Sequence, residues 1–247
     1  SSTFTGDFGN SNIVVNSGVT LTTTSSKTSG KLITGAGNVT LTDSSVSVTN
    51  INNVSAVTGV VTAVVTEQDA TTLKTLSTNN SDMITVTMAV ASTSAADLNA
   101  IDLLTGMSIN ATAITELTGN ATDVKTALAS SGITTVTNGS LAVNVNSGTA
   151  SVADINTINA DSATGIVTAT ATETAAATLI GLTTTGTDAI TVTMAAASTA
   201  AADLNTIDGK TSVAVGATAI TELTGNATNI KTALASSGIT TVTNGSL

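Results

Sequence analysis

Short runs in which β-branched and small residues alternate recur along the chain. They lie at 60–66 (VVTAVVT), 84–90, 107–115 and 133–137, then at 166–172, 190–196, 213–221 and 239–243. A period of two puts every second side chain on one face, so each run predicts a half-buried strand. Between the runs the pattern changes. Asn120-Ala121-Thr122-Asp123 offers a capping residue with an acid three places on; Ala121, Val124 and Leu128 then share one helical face, and Gly132 stands where the helix closes. Residues 95–102 and 71–76 predict shorter helical turns. The strand runs follow one another at intervals of about 24 residues and upward, enough for a parallel crossover connection.

The pattern repeats on a larger scale. Residues 84–102 read ITVTMAVASTSAADLNAID and residues 190–208 read ITVTMAAASTAAADLNTID. The stretch 111–141 returns at 217–247 with only Asn229 for Asp123 and Ile230 for Val124, an offset of 106 residues. Traced backwards, that register pairs Ser45-Val46 with Ser151-Val152. The expected organisation is a first repeat unit over 45–150 and a second over 151–247. Residues 1–44, without helical period, form an all-β N-terminal cap or docking segment. Leu247 corresponds to Leu141, inside a strand-like stretch, so further repeats are expected to follow.

Two architectures fit these periods. One is an α/β solenoid, a β-rich repeat fold of parallel strands joined by short helices, with a core of Val, Ile, Leu and Ala. The other is a series of tandem β-sandwich or α+β repeat domains. Asn138-Gly139 and Asn244-Gly245 favour the second, because Asn-Gly supplies the two positive-φ residues of a tight hairpin, but the near-absence of aromatics suits the narrow layered core of the first, and the solenoid is the expected fold.

Composition narrows the chemistry. His, Cys, Trp, Tyr, Arg and Pro are absent, 55 of the 247 residues are Thr, and the formal charge is −10. Without His or Cys neither a Ser-His-Asp nor a Cys-His constellation can be built, and zinc loses its usual ligands. Six Lys and no Arg on an acidic chain make a poor nucleic-acid surface. No run reaches the ~20 apolar residues of a transmembrane helix. The chain begins at Ser1 without a basic and apolar leader, so a signal already removed, or an origin within a longer protein, is expected. Low charge, abundant hydroxyls and no oxidisable Cys or Trp suit extracellular life.

At this level the stretch ADLNTIDGKTSVAVGATAITELTGNATNIKTALASSG, residues 202–238, resembles the Ala/Thr/Asn-rich repeats of very long bacterial surface proteins. These are the beta-strand-repeat, adhesin-like or surface-layer-like proteins of cyanobacteria and aquatic bacteria, and the resemblance covers about residues 45–247. It implies a secreted, array-forming role, often with calcium and surface glycans. The glycine-aspartate nonapeptide that binds calcium in many such proteins is missing here.

Candidate sites follow from the same positions. Asp97, Asp102, Asp203 and Asp208 recur in register, as do Glu67, Glu116, Glu173 and Glu222. The four aspartates are the calcium candidates, since calcium takes six to eight oxygens; Asp97 and Asp203 equally suit a helix N-terminus. Phe4 and Phe8, the only aromatics, fall on one face of an extended segment and are candidates for assembly contacts. Asn38, Asn53, Asn79 and Asn110 open Asn-x-Ser/Thr triplets and are glycosylation candidates; Asn120 and Asn226 read instead as helix caps. Thr-x-Thr pairs are no commoner than chance placement of this much Thr gives. The expected function is structural: an extracellular homopolymer forming a filament, sheath or surface layer, without enzymatic activity. A rigid adhesin stalk, whose binding domain lies outside this segment, is the alternative. A carbohydrate- or ice-binding surface is the third.

Overall fold

The structure, a computed structural model, describes residues 2–3, 6, 8–9, 11–137, 139–161 and 163–241. It divides into two compact units, residues 1–114 with 129–135, and residues 115–128 with 136–247. The chain is a mixed α/β protein with several parallel-strand sheets.

The first unit opens with β1 (Ser2–Thr3), β2 (Ile13–Val14), β3 (Thr20–Thr23) and α1 (Ser25–Thr28). It continues through β4 (Ile33–Thr34), β5 (Asn38–Leu41), α2 (Val48–Asn52), β6 (Val61–Val64) and α3 (Ala70–Leu73). It then runs through β7 (Met83–Thr85), β8 (Ser92–Ser94), α4 (Ala95–Asp102) and β9 (Ile109–Asn110). Five strands form one parallel sheet whose order follows the chain, β1-β3-β5-β6-β7. Alternation sets its inner face: Leu21 pairs with Val39 and Val39 with Val61, all three buried. A second, shorter parallel ladder joins β2 to β4.

The second unit holds β10 (Glu116–Gly119), most of α5 (Ala121–Ala129), β12 (Leu141–Val145), α6 (Val152–Asn159) and β13 (Thr164–Thr170). The strand between α5 and β12, β11 (Ile133–Thr134), belongs to the first unit, where it pairs in parallel with β9. Beyond β13 come α7 (Ala176–Leu179), β14 (Ala189–Thr191), β15 (Ser198–Ala200) and α8 (Ala201–Asp208). Then follow β16 (Val215–Gly216), β17 (Glu222–Thr224), α9 (Ala227–Ala235) and β18 (Ile239–Thr240). Strands β10, β12, β13 and β14 are neighbours in that order, all parallel, and Leu117, Val143 and Val167 form one buried rank across them. β15 pairs with β17 and β16 with β18, also in parallel.

Helices present an apolar residue at every third place. Ala95, Leu98 and Ile101 in α4, Val152, Ile155 and Ile158 in α6, and Ala201, Leu204 and Ile207 in α8 are buried triplets. The cap expected at Asn120 forms: the Asp123 N–H donates to Asn120 Oδ1 at 2.9 Å, and Asn120 Nδ2 donates to Asp123 Oδ2 at 2.6 Å, joining cap and acid through their side chains.

Several expectations change. Residues 1–44 are not wholly β: α1 forms because Asp43 Oδ2 accepts the Ser25 N–H at 2.7 Å and so satisfies the first orphan donor of a single helical turn. Gly139 has the positive φ expected of a turn, +68°, but β11 and β12 on either side of it pair with other strands in parallel, so it does not join a hairpin. Asn138, Asn244 and Gly245 lie outside the described residues. The run 107–115 is strand only at β9, because the Ala111 carbonyl accepts the Ile114 N–H at 3.1 Å and bends the chain. The corresponding bond from Ile220 to Ala217 ends β16 in the same way. Gly132 does not cap α5 with a positive φ; a Cβ there would overlap the Asp102 carboxylate. Finally, Ser47 caps α2 and Ser151 caps α6, two residues off the 106-residue register drawn from the sequence. α6 is three residues longer than α2.

Candidate functional site

Where the carboxylates point shows what this chain uses them for. Asp82 and Asp188, each 3% exposed, precede β7 and β14. Asp82 Oδ1 accepts the Val61 N–H of β6 at 2.7 Å and its Oδ2 accepts the Asn79 N–H at 2.9 Å. Asp188 does the same with Val167 of β13 and with Thr185, at 2.9 and 2.8 Å. Each carboxylate thus supplies an acceptor to the neighbouring strand where the ladder would leave a buried donor unpaired.

Two buried threonines continue the pattern. Thr105 Oγ1 donates to the Ile84 carbonyl at 2.7 Å and accepts the N–H groups of Ile84 and Met107 at 3.1 and 3.0 Å. Thr211 makes the equivalent bonds to Ile190 and Val213. Glu67 Oε2 accepts the first N–H of α2, from Val48, and Glu173 Oε2 accepts that of α6, from Val152, both at 2.9 Å. A carboxylate at a helix N-terminus also meets the positive end of the dipole.

The four calcium candidates are dispersed. Asp97 sits in the first turn of α4 and pairs with Lys74 at 2.9 Å. Asp102 ends the same helix, where its Oδ2 accepts the Ser130 hydroxyl at 2.8 Å. Asp203 lies in the first turn of α8, and Asp208 ends that helix with its Oδ2 accepting the Ser236 hydroxyl at 2.7 Å. In each pair the two carboxylates occupy opposite ends of an eight-residue helix and do not converge. Among the described residues no three of His, Cys, Asp and Glu gather as a metal-binding cluster. Glu116 begins β10 and Glu222 begins β17.

Two carboxyls are held below the usual range. Asp154 is lowered first by its hydrogen bond from Lys125, then by the Ser151 hydroxyl; Asp69 is lowered first by the N–H of Thr72, which it caps at the start of α3. Both causes favour the charged form.

Of the glycosylation candidates, Asn38, Asn79 and Asn110 are exposed and Asn53 is half-buried at the end of α2. Asn110 Oδ1 accepts the hydroxyl of Thr112, the third residue of its own triplet, at 2.8 Å. Phe8 is half-buried and its carbonyl accepts the Ser11 N–H; Phe4 lies outside the described residues. The outer face of the first unit's sheet carries Thr22, Thr40 and Thr62 in register, and Thr118, Asn144 and Thr168 form a similar rank in the second.

Sequence reasoning passed over Asp82, Asp188, Thr105 and Thr211. Their signal was present: each is a polar residue held at the 106-residue offset a few places before a strand. No family model, curated protein or solved structure matches this chain. Among the described residues no helix is long and apolar enough to cross a membrane.

Proposed function

We propose that this chain is a non-catalytic structural protein of the extracellular surface, a repeat array folded as an α/β solenoid that assembles with copies of itself into a filament, sheath or layer. One observation supports the reading above the rest. The buried polar side chains Asp82, Asp188, Thr105 and Thr211 all bond the backbone of the adjacent strand segment, and so hold successive segments in register. A catalytic or ligand-binding protein directs some of that polarity into a cavity. A rod directs it along its axis.

Solution scattering and electron microscopy test the proposal together. A compact globule of this length has a radius of gyration of about 18 Å. The solenoid reading expects a value well above that and elongated particles in micrographs; a particle at the compact value overturns it. Ordered polymers in concentrated native material support the assembly reading. Rods that stay monodisperse at every concentration overturn it and favour a stalk.

A further inference from the structure

Helices α5 (ATDVKTALA) and α9 (ATNIKTALA) have almost the same sequence, as do the strands β10 and β17 before them, yet their burial differs. In the first copy Leu117, Ala121 and Val124 are buried, Leu117 at 1% and Val124 at 0% exposure. The segment that follows adjoins them at two points. β12 pairs with β10 through Leu117 and Val143, and Lys125 of α5 bonds to Asp154 in the first turn of α6. In the second copy Leu223 and Ile230 are only half-buried, Ala227 is exposed and Leu234 is 54% exposed. Lys231, the counterpart of Lys125, stands exposed with no ion pair among the described residues. Beside it a groove of about 810 Å³ runs between α8 and α9, lined by Asp208, Ala227, Lys231 and Ala235.

We propose that the outer face of β17 and α9 is a docking surface for a partner coil with the chemistry of residues 141–159. That partner brings a strand alternating Leu or Val with small residues, to pair in parallel with β17. It also brings a short helix with apolar residues at every third place, to cover Ile230 and Leu223. A carboxylate in the first turn of that helix meets Lys231, as Asp154 meets Lys125. The chain's own N-terminal edge fits less well: its first helix, α1, has four residues and no acid in its first turn. The proposal rests on the solenoid reading, because the partner is a further coil.

The test is hydrogen exchange on the full chain and on a version extended after Leu247 by the sequence of residues 142–160. In the full chain, amides of α9 exchange faster than those of α5. In the extended chain α9 gains about tenfold or more protection, and a version with Asn in place of the added Asp loses part of that gain. An extended version carrying Asp at the added positions equivalent to Val143 and Ile155 shows no gain. Unchanged α9 exchange in the extended chain, with α5 well protected, overturns the docking proposal alone. Equal, rapid exchange in α5 and α9 of the full chain overturns the solenoid reading beneath it. Concentration-dependent protection of α9 in the unextended chain, with sedimentation showing dimers, overturns the proposal in favour of a second copy as the occupant.

Discussion

Replacing Asp188 with Ala removes an acceptor on which three donors converge: the N–H of Val167, the N–H of Thr185 and, at 3.2 Å, the Thr185 hydroxyl. Their environments differ. Val167 is fully buried, so its N–H finds no water and costs ~1–3 kcal/mol unmade. Thr185 is exposed, and water recovers most of its loss, leaving ~0.5–1 kcal/mol. Removing a buried charge offsets part of this, because its desolvation is relieved. The expected destabilisation is therefore ~2–3 kcal/mol. Asp188→Asn keeps an oxygen for Val167 but turns an NH₂ donor towards the Thr185 N–H, for ~1–2 kcal/mol. Lacking Trp and Tyr, the protein is followed by far-UV circular dichroism in urea, with exchange of the Val167 amide as the local probe. An Ala variant within ~0.5 kcal/mol of the parent, or an Asn variant weaker than the Ala variant, refutes the reasoning.

Thr211→Val deletes the hydroxyl that joins Ile190 to Val213 and costs ~1–3 kcal/mol, while Thr211→Ser keeps it and costs less; urea midpoints decide the order. Ser151→Ala removes the cap of α6, whose hydroxyl accepts the Asp154 N–H at 3.0 Å, for ~1 kcal/mol in the same assay. The Asp154 carboxyl is lowered in the fold, so its contribution is present above the unfolded value of ~3.9 and is lost as pH falls through the folded one. Both partners are about one-third exposed, which holds the effect to under ~0.5 kcal/mol; Lys125→Met reduces that acid slope in pH-dependent urea titrations and leaves the part due to Ser151. Because the calcium candidates are spread along α4 and α8, added calcium moves the thermal midpoint by less than about 1 °C, and a larger rise refutes the placement.

Periodicity made the elements legible wherever local sequence alone decides them. The Asn120 cap, the helix over 95–102 and the strand at Ile133 lie where the pattern places them. What escaped depends on atoms far apart in sequence. A four-residue helix such as α1 has no periodic signal, and it exists because a carboxylate 18 residues on caps its first N–H. Parallel pairing was legible in the crossover-length intervals, but the hairpin reading of Asn138-Gly139 failed: Asn-Gly is a local signal, whereas the parallel ladders around β12 are set by burying Leu141, Val143 and Val145 against two neighbours.

The two copies separate sequence from context. Gly132 and Gly238 show the same constraint twice, since a Cβ at either would overlap the carboxylate of Asp102 or Asp208 and push apart the bonds these make to Ser130 and Ser236. Those bonds repeat because both partners lie within the repeated sequence. The Lys74–Asp97 ion pair does not repeat, because Ile180 stands where the second copy needs a lysine. Gly238→Ala is therefore expected to destabilise by ~1–3 kcal/mol through overpacking, and Lys74→Ile, which makes the first copy match the second, by under ~0.5 kcal/mol because the pair is exposed. Urea titrations of both variants check the order. A Lys74 variant costing more than the glycine variant overturns the view that the close approach of a carboxylate to a glycine, rather than surface charge, fixes how neighbouring segments pack.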